Sequence, residues 1–216
     1  MSLNPEQLGL VNRAKNAVNP FGIGECFNAA LAAQKRDFWN IVLCHFVLSL
    51  VLGLTAIFTL IPFVGFIPFA LLAPPLFVGF VRFNSKCLRG QPASLDDCFS
   101  GFDVFGSSVL TYILMVLCVA AGLILCVLPG LYLTVAYVVA WNLLAERKGT
   151  VWECLEMSRQ AVTAHWGWAL LLMFVAVILA YVGLIACIIG IVVTAPIYGL
   201  MLAAAYERLF PSQPTA

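Results

Sequence analysis

Two histidines and eight cysteines are the side chains of this chain that could act as bases, nucleophiles or metal ligands. The cysteines form no Cys-x-x-Cys pair, and no group of cysteines and histidines has the spacing of a zinc site. His45 and His165 are too far apart in the sequence to hold a metal ion without further ligands beside them. We therefore predict no metal, no cofactor and no catalytic centre.

The charged residues are confined to four segments of the chain. Between these segments lie three blocks without Asp, Glu, Lys or Arg: Phe38–Val81, Val104–Ala145 and Gln160–Tyr206. A helix needs about 20 apolar residues to cross a bilayer, so each block is long enough for two spans. Because 63% of the residues are hydrophobic and 10% are charged, a soluble fold could not bury this much apolar surface. The sequence predicts an all-α integral membrane protein with six transmembrane helices in three hairpins.

The orientation follows from where the positive charges lie. All 11 Lys and Arg residues fall in the charged segments, which three hairpins would place on one side of the membrane. The positive-inside rule assigns that side to the cytoplasm, so we predict a multi-pass protein of the bacterial inner membrane with both termini cytoplasmic. The predicted parts are a cytoplasmic segment (1–23), one membrane domain (24–210) and a disordered tail (211–216). The net charge of +1 argues against nucleic-acid binding.

The order of elements indicates a threefold repeat. Each predicted unit begins with a cytoplasmic amphipathic helix that carries Cys26, Cys98 or Cys154. A span, a Gly/Pro break and a returning span follow, and the unit ends on a charge. The breaks are predicted at Ile61–Gly65, at Leu128–Gly130 and at Gly190 with Pro196. The closing charges are Arg82, Glu146 and Glu207.

Two of the amphipathic helices have clear N-terminal signals. Thr150 and Glu153 fit a capping box, in which both side chains bond free backbone N–H groups, and Ser94 and Asp97 fit another. Helices of this kind usually lie in the membrane interface with the apolar face towards lipid. We predict contacts with a partner or with lipid at this face from one histidine and five aromatic residues: Phe99, Phe102, Phe105, Trp152, His165 and Trp166.

The leading hypothesis is a non-enzymatic, membrane-organising role in which the cytoplasmic face binds lipid, another membrane protein or a second copy of this chain. It is based on the position of the charged residues and the amphipathic helices, which all lie on that face. The alternative is a carrier or channel for a neutral or lipidic solute, because three parallel hairpins can enclose a path. The polar residues predicted to line this path are His45, Thr55, Thr111, Thr134 and Thr194.

The predicted spans contain no Asp, Glu, Lys or Arg, and such residues within a membrane usually mark proton or ion pathways. Their absence argues against a proton-coupled transporter, an ion pump and an intramembrane hydrolase. A third hypothesis is an enzyme that acts on lipid at the interface through His165 with Asp96 or Asp97. However, a histidine beside Trp166 at the start of a span is typical of an interfacial anchor.

Four short stretches resemble a group of largely uncharacterised bacterial multi-pass membrane proteins, which is similar to the membrane domain attached to some glycerophosphodiester phosphodiesterases. The stretches are Leu95–Phe102, Leu128–Leu133, Trp152–Leu155 with Ser158, and His165 with Trp166. The resemblance covers most of the chain from Lys35 onwards and implies a six-span helical fold. We expect no phosphodiesterase activity, because the chain has no room for a separate catalytic barrel of about 250 residues.

Overall fold

The computed structural model describes residues 3–57, 66–185 and 188–211, and every regular element in these ranges is a helix. The helices are α1 (Pro5–Lys15), α2 (Ile23–Arg36), α3 (Phe38–Ile57), α4 (Phe66–Arg89), α5 (Leu95–Phe99), α6 (Phe105–Leu125), α7 (Val127–Ala136), α8 (Ala140–Ala145), α9 (Val151–Thr163), α10 (Trp166–Ile185) and α11 (Ile188–Leu209). A 3-10 helix, Ser100–Val104, joins α5 to α6. The predicted all-helical class is confirmed.

Four stretches of the described chain are long and apolar enough to cross a membrane. They are Phe38–Ile57, Ile67–Arg89, Leu95–Leu125 and Val127–Ala145. A fifth is added if Val151–Thr163 and Trp166–Ala180, which are bent by 98° relative to each other, form one broken span. The described residues therefore fit a multi-pass membrane protein with four or five candidate spans. This count is lower than the six spans that the sequence predicts.

Two of the predicted Gly/Pro breaks lie inside helices. Between α6 and α7 the chain turns at Cys126, whose backbone is extended, and Pro129 and Gly130 lie in the first turn of α7. Proline fits there because the first N–H groups of a helix have no acceptor within it. Gly190 and Pro196 lie within α11. The turn between α6 and α7 therefore forms before the predicted Gly/Pro break, and Gly190 and Pro196 are helical.

Helix α4 is longer at its charged end than the sequence predicts. The predicted span ends before Arg82, whereas α4 continues to Arg89. Within this extension Phe83 is 0% exposed and Asn84 is 1% exposed. A segment predicted to be a cytoplasmic loop is therefore part of the helical core. The predicted break at Ile61–Gly65 lies outside the described residues.

The helices α1, α2, α5 and α9 pack against the charged ends of the longer helices. Helix α1 lies on α9, α2 on α11 and α4, α5 on α4, and α9 on α7 and α8. Gln7 of α1 donates from its amide to the Lys148 carbonyl at 3.2 Å and to the Glu153 carboxylate at 3.1 Å. Of the predicted tail, only Pro211 is among the described residues. The cysteines of three of these helices are buried: Cys26, Cys98 and Cys154.

Two glycines let α4 meet α5 and the 3-10 helix backbone to backbone. A Cβ atom on Gly79 would lie 1.9 Å from the Cys98 carbonyl oxygen. A Cβ atom on Gly101 would lie 2.0 Å from the Pro75 carbonyl oxygen. No other residue type fits at these contacts without displacing the backbone. The close packing holds the charged end of α4 in place against the middle of the chain.

Candidate functional site

A partly open cavity of about 190 Å³ lies between the helices that end at the charged side, α4, α8 and α11, with further walls from α6, α7 and α10. The volume is more than ten times the roughly 15 Å³ that one water molecule needs. None of the described residues that line it is charged. Three of them are large aromatic residues of α4 and α8: Phe77, Phe80 and Trp141. Five carry uncharged polar groups: Asn84, Thr134, Tyr137, Asn142 and Tyr198.

Asn84 is the most unusual of the polar residues that line the cavity. It is 1% exposed, and neither its amide nitrogen nor its amide oxygen has a hydrogen-bond partner within the described part of the chain. A buried polar group without a partner costs about 1–3 kcal/mol, so native proteins rarely keep one without a reason. A molecule that both donates and accepts a hydrogen bond would satisfy both amide atoms once neighbouring side chains of the cavity wall moved aside to let it reach them.

Gly199 of α11 packs closely against this amide. A Cβ atom at Gly199 would lie 2.8 Å from the Asn84 nitrogen and 2.6 Å from a ring carbon of Phe80. Any larger residue would therefore push Asn84 and Phe80 away from α11. The glycine fixes both the distance between α4 and α11 and the position of the amide in the cavity wall.

Ion pairs cross the charged end of the molecule close to the cavity. Arg89, about 7.5 Å further along α4 than Asn84, donates from Nε to Glu207 at 2.8 Å and also pairs with Glu146. The Tyr206 hydroxyl donates to Glu146 at 2.9 Å. These contacts tie together the charged ends of α4, α8 and α11. A network of paired charges thus lies next to the uncharged cavity.

A second network links α4 to the middle of the chain. Arg82 donates to the Asp103 carboxylate at 2.9 Å, to the Ser100 carbonyl at 2.9 Å and to the Ala145 carbonyl at 3.1 Å. Arg147 also pairs with Asp103 at 2.7 Å. Arg82 therefore satisfies a carbonyl group at the C-terminus of α8, where helical carbonyls have no partner in their own helix. It has a structural role at the charged side.

The three phenylalanines predicted to contact a partner lie on α5, the 3-10 helix and the start of α6. Phe99 is 40% exposed, Phe102 is 42% exposed and Phe105 is 40% exposed. The rings of Phe102 and Phe105 are stacked, with centroids 6.4 Å apart. These side chains present an apolar surface at the charged side of the described structure.

The other three predicted contact residues have different surroundings. Trp152 is 45% exposed on α9. His165 donates from Nε2 to the Ala14 carbonyl at 3.3 Å and so ties the start of α10 to α1. Trp166 donates to the Tyr132 carbonyl at 3.3 Å, and its ring stacks on the Tyr132 ring. His165 and Trp166 therefore join elements of this chain to each other.

Of the five residues predicted to line a solute path, Thr134 lines the cavity. Thr55, Thr111 and Thr134 donate to carbonyl groups of their own helices at 2.8, 2.8 and 2.9 Å. Thr194 donates to a carbonyl group of α10 at 3.3 Å. His45 donates to a carbonyl group of α3 at 2.8 Å, and its ring lies 4.9 Å from that of Phe80.

The third hypothesis paired His165 with Asp96 or Asp97. Asp97 instead accepts from the Ser94 backbone N–H at 3.0 Å and pairs with Lys86 at 2.6 Å. Asp96 is exposed near the start of α5. The structure thus gives Asp97 a structural role as a helix cap, and the partner of His165 is a backbone carbonyl.

The buried thiol of α2 is also unsuited to nucleophilic chemistry. Burial raises the pKa of Cys26 to about 11, although the nearby Arg208 guanidinium opposes the shift. The thiolate is the reactive form of cysteine, and at neutral pH this group is a thiol. Among the described residues, no three His, Cys, Asp or Glu side chains form a group that could hold a metal ion.

Asn84 and Gly199 are cavity residues that the sequence analysis did not single out. Asn84 lies two residues after Arg82, and the predicted span ends before the charge of Arg82. A signal was nevertheless present, because Phe77, Phe80 and Asn84 recur at helical spacing across the charge. Gly199 has no comparable signal, since its importance depends on the residues of α4 that it meets.

No protein-family model, curated protein or solved structure matches this chain. The resemblance to the membrane domain of glycerophosphodiester phosphodiesterases therefore stays a prediction. The cavity and its surroundings are the features on which a function can be proposed.

Proposed function

We propose that this protein binds a neutral, lipidic solute in the cavity between α4, α8 and α11, as a non-enzymatic binding or carrier protein of the bacterial inner membrane. The observation that supports this most strongly is the buried Asn84 amide, whose two polar atoms have no partner among the described residues. A protein that gained nothing from this amide would be more stable with an apolar residue there.

The proposal includes a topology of six spans in three hairpins with both termini cytoplasmic. The outgoing spans, which leave the charged side, are α3, α6 and α10. The returning spans, which end at the charged side, are α4, α7 with α8, and α11. The contacts of Arg89 with Glu146 and Glu207 support this grouping, because they join the charged ends of the three returning spans. The buried cysteine on each preceding amphipathic helix supports a threefold repeat.

The chemistry of the lining favours a neutral ligand. A charged group that enters an uncharged cavity loses its hydration and finds no opposite charge in the wall, which costs several kcal/mol. Aromatic and methionine side chains next to amide and hydroxyl groups suit a molecule that is partly apolar and partly hydrogen-bonding.

The same lining favours binding over catalysis. Amide and hydroxyl groups such as those of Asn84, Asn142 and Thr134 form hydrogen bonds, but they do not exchange protons near neutral pH. A general acid or base needs a pKa near the working pH, and the described cavity residues have none in that range. Amide and hydroxyl groups are therefore suited to the recognition of a ligand by hydrogen bonds.

Native mass spectrometry of the protein extracted gently from its own membrane tests the proposal. We expect one bound ligand of defined mass in the unmodified protein and its loss in Asn84→Leu. The matched control is Asn28→Leu, because Asn28 is an exposed asparagine on α2. The proposal is wrong if the unmodified protein is bare, or if Asn84→Leu carries the same ligand to the same extent.

A second candidate function, docking of a protein partner at the charged side, is favoured by the exposed stacked rings of Phe102 and Phe105 with Phe99 beside them. Conversion of all three residues to serine should then release a co-purifying protein without loss of membrane insertion. If partner recovery and insertion are both unchanged, this second function is wrong. The cavity ligand should be retained in the triple variant whichever result is obtained.

A further inference from the structure

A second space, an apolar groove of about 570 Å³, lies between α3, α4 and α6. Its described lining has one polar side chain, that of Tyr112. Gly53 and Ala56 of α3 are exposed at its edge, on the surface that α3 would present to lipid. The groove is therefore suited to hold hydrocarbon.

The groove and the cavity share one wall. Phe77, Met115 and Trp141 line both spaces, and the rings of Phe77 and Trp141 lie 5.3 Å apart. Phe77 is 37% exposed, and methionine adapts readily to different neighbours. The two spaces are therefore separated only by side chains, and a movement of Phe77 and Met115 would let one ligand occupy both.

The groove and Asn84 lie at successive levels along α4. Along α4, the groove extends from Phe69 to Phe77, about 12 Å at 1.5 Å per residue. Asn84 lies about 10 Å further towards the charged end. The hydrocarbon of one leaflet is about 15 Å thick, half of a core of about 30 Å. The distance from Asn84 to Phe69 is thus about 22 Å, so the chain of a lipid whose head lies at Asn84 enters the groove within the charged-side leaflet, and the far end of the groove lies beyond that leaflet.

The volume and the chemistry of the cavity restrict which lipid head groups can bind. It is small, its described lining is uncharged, and the Asn84 amide needs both a donor and an acceptor. A hydroxyl group supplies both, whereas a phosphate would bring a charge that the cavity does not neutralise. The volume of about 190 Å³ leaves room for a glycerol-sized head.

From this geometry we infer that the ligand is a single-chain lipid of the monoacylglycerol class, with its hydroxyl groups at Asn84 and its acyl chain in the groove lined by Phe69, Phe77 and Trp141. This inference rests on the proposed function and specifies its ligand. Together the two spaces fall within the range of roughly 300–1,000 Å³ that is usual for ligand pockets.

Trp141 provides a probe, because it lies at the wall between the two spaces. The full-length protein in detergent is titrated with a monoacylglycerol whose acyl chain carries bromine, which quenches nearby tryptophan fluorescence. We expect saturable quenching, and we expect Trp141→Phe to remove most of it although the other four of the five tryptophans remain. Monooleoylglycerol should reverse the quenching by competition.

Three comparisons test the chemical class. Asn84→Leu should weaken binding about tenfold, the loss expected for one or two hydrogen bonds, whereas Asn28→Leu should not. Asn84→Leu should also unfold at a higher temperature than the unmodified protein, which distinguishes lost recognition from misfolding. Oleoyl lysophosphatidic acid, which has the same chain but a charged head, and monobutyrylglycerol, which has the same head but a short chain, should both compete at least tenfold more weakly.

The possible failures are separable. If the charged lipid competes as well as monooleoylglycerol and both depend on Asn84, the neutral head is wrong but a lipid-binding cavity remains. If the short-chain compound competes equally well, the role of the groove is wrong. If none of the three compounds binds and native mass spectrometry still shows an Asn84-dependent ligand, the lipid class is wrong and the proposed function stands. If no Asn84-dependent ligand is found by either method, both are wrong.

Discussion

The outgoing helices α3 and α6 differ from the returning helices α4 and α7–α8 in how much of each is buried. In the most apolar stretches of α3 and α6, 28% and 17% of the residues are buried. The corresponding values are 44% for α4 and 56% for α7 with α8. The returning helices therefore form the interior, and the outgoing helices cover them on the side that would face lipid.

The polar side chains of the two groups differ in the same way. On the outgoing helices, Thr55, Ser108 and Thr111 donate to carbonyl groups of their own helix, although Asn40 at the charged start of α3 donates to the Ala93 carbonyl. On the returning helix α4, Arg82 and Arg89 reach other elements. The two arginines therefore make α4 a centre of contacts between elements at the charged side. Small substitutions at comparable positions should therefore destabilise the protein more on the returning helices than on the outgoing helices.

The largest difference is expected between Gly79→Ala on α4 and Gly53→Ala on α3. A methyl group at Gly79 would overlap the Cys98 carbonyl oxygen, whereas nothing lies within 4 Å of one at Gly53. We expect Gly79→Ala to lower the free energy of unfolding by about 3 kcal/mol, the upper end of overpacking effects. Gly53→Ala should change it by less than about 1 kcal/mol and in the stabilising direction.

Unfolding in mixed detergent micelles, followed by circular dichroism, measures both variants. Equal losses of stability in Gly79→Ala and Gly53→Ala would contradict the claim that the returning helix α4 is more closely packed than the outgoing helix α3. A neutral Gly79→Ala would show that α4 and α5 are not in backbone contact.

An intermediate effect is expected for Arg89→Met, with Lys86→Met on the same helix as its control. Arg89 joins two carboxylates from other elements, Glu146 and Glu207, with side chains that are 18–26% exposed. Removal of one partner from a fully buried network costs about 3–5 kcal/mol, and partial exposure reduces this to about 2 kcal/mol. Lys86 pairs with Asp97 and is 40% exposed, so its loss should cost less than about 1 kcal/mol.

Salt provides a second test of this pair. In 1 M salt the Debye length is about 3 Å, so exposed pairs are screened more strongly than partly buried ones. The effect of Lys86→Met on stability should therefore disappear at high salt, while most of the effect of Arg89→Met should remain. If the two variants lose stability equally in low and high salt, the Arg89 network does not hold the returning helices together.

The sequence was sufficient to predict the helical class and a multi-pass arrangement, although not the number of spans, because long uncharged blocks indicate membrane-spanning helices. The block boundaries were less informative. Arg82 was interpreted as the end of a span, but its long side chain reaches out to Asp103 and to two backbone carbonyls while α4 continues beneath it. Charge alone therefore does not mark where a helix ends.

The candidate site was harder to predict, because it depends on contacts between distant segments. Thr134 of the predicted path lines the cavity, whereas Thr55 and Thr111 donate to carbonyl groups of their own helices, and periodicity does not distinguish these cases. The position of the Asn84 amide in the cavity wall depends on Gly199, which is far away in the sequence and contacts Asn84 only in the folded chain. A single sequence contains no signal for such a pair.

The smallest difference is expected between two buried serines, Ser158 of α9 and Ser108 of α6. Ser158 donates to the Ala136 carbonyl at 2.7 Å, and Ala136 is the last residue of α7, where carbonyl groups lack partners in the helix. Ser108 donates to the Phe105 carbonyl of its own helix at 2.8 Å. Ser158→Ala leaves a buried carbonyl unsatisfied and should cost about 1.5 kcal/mol, whereas Ser108→Ala should cost less than about 0.5 kcal/mol.

Both serine variants are measured by the same micelle unfolding as the glycine variants. A loss in Ser158→Ala alone would place α9 with the returning helices, because its hydroxyl group would then be holding the end of α7. Equal losses would show that local and cross-helix hydroxyl bonds contribute alike, and the comparison between outgoing and returning helices would then rest on packing alone.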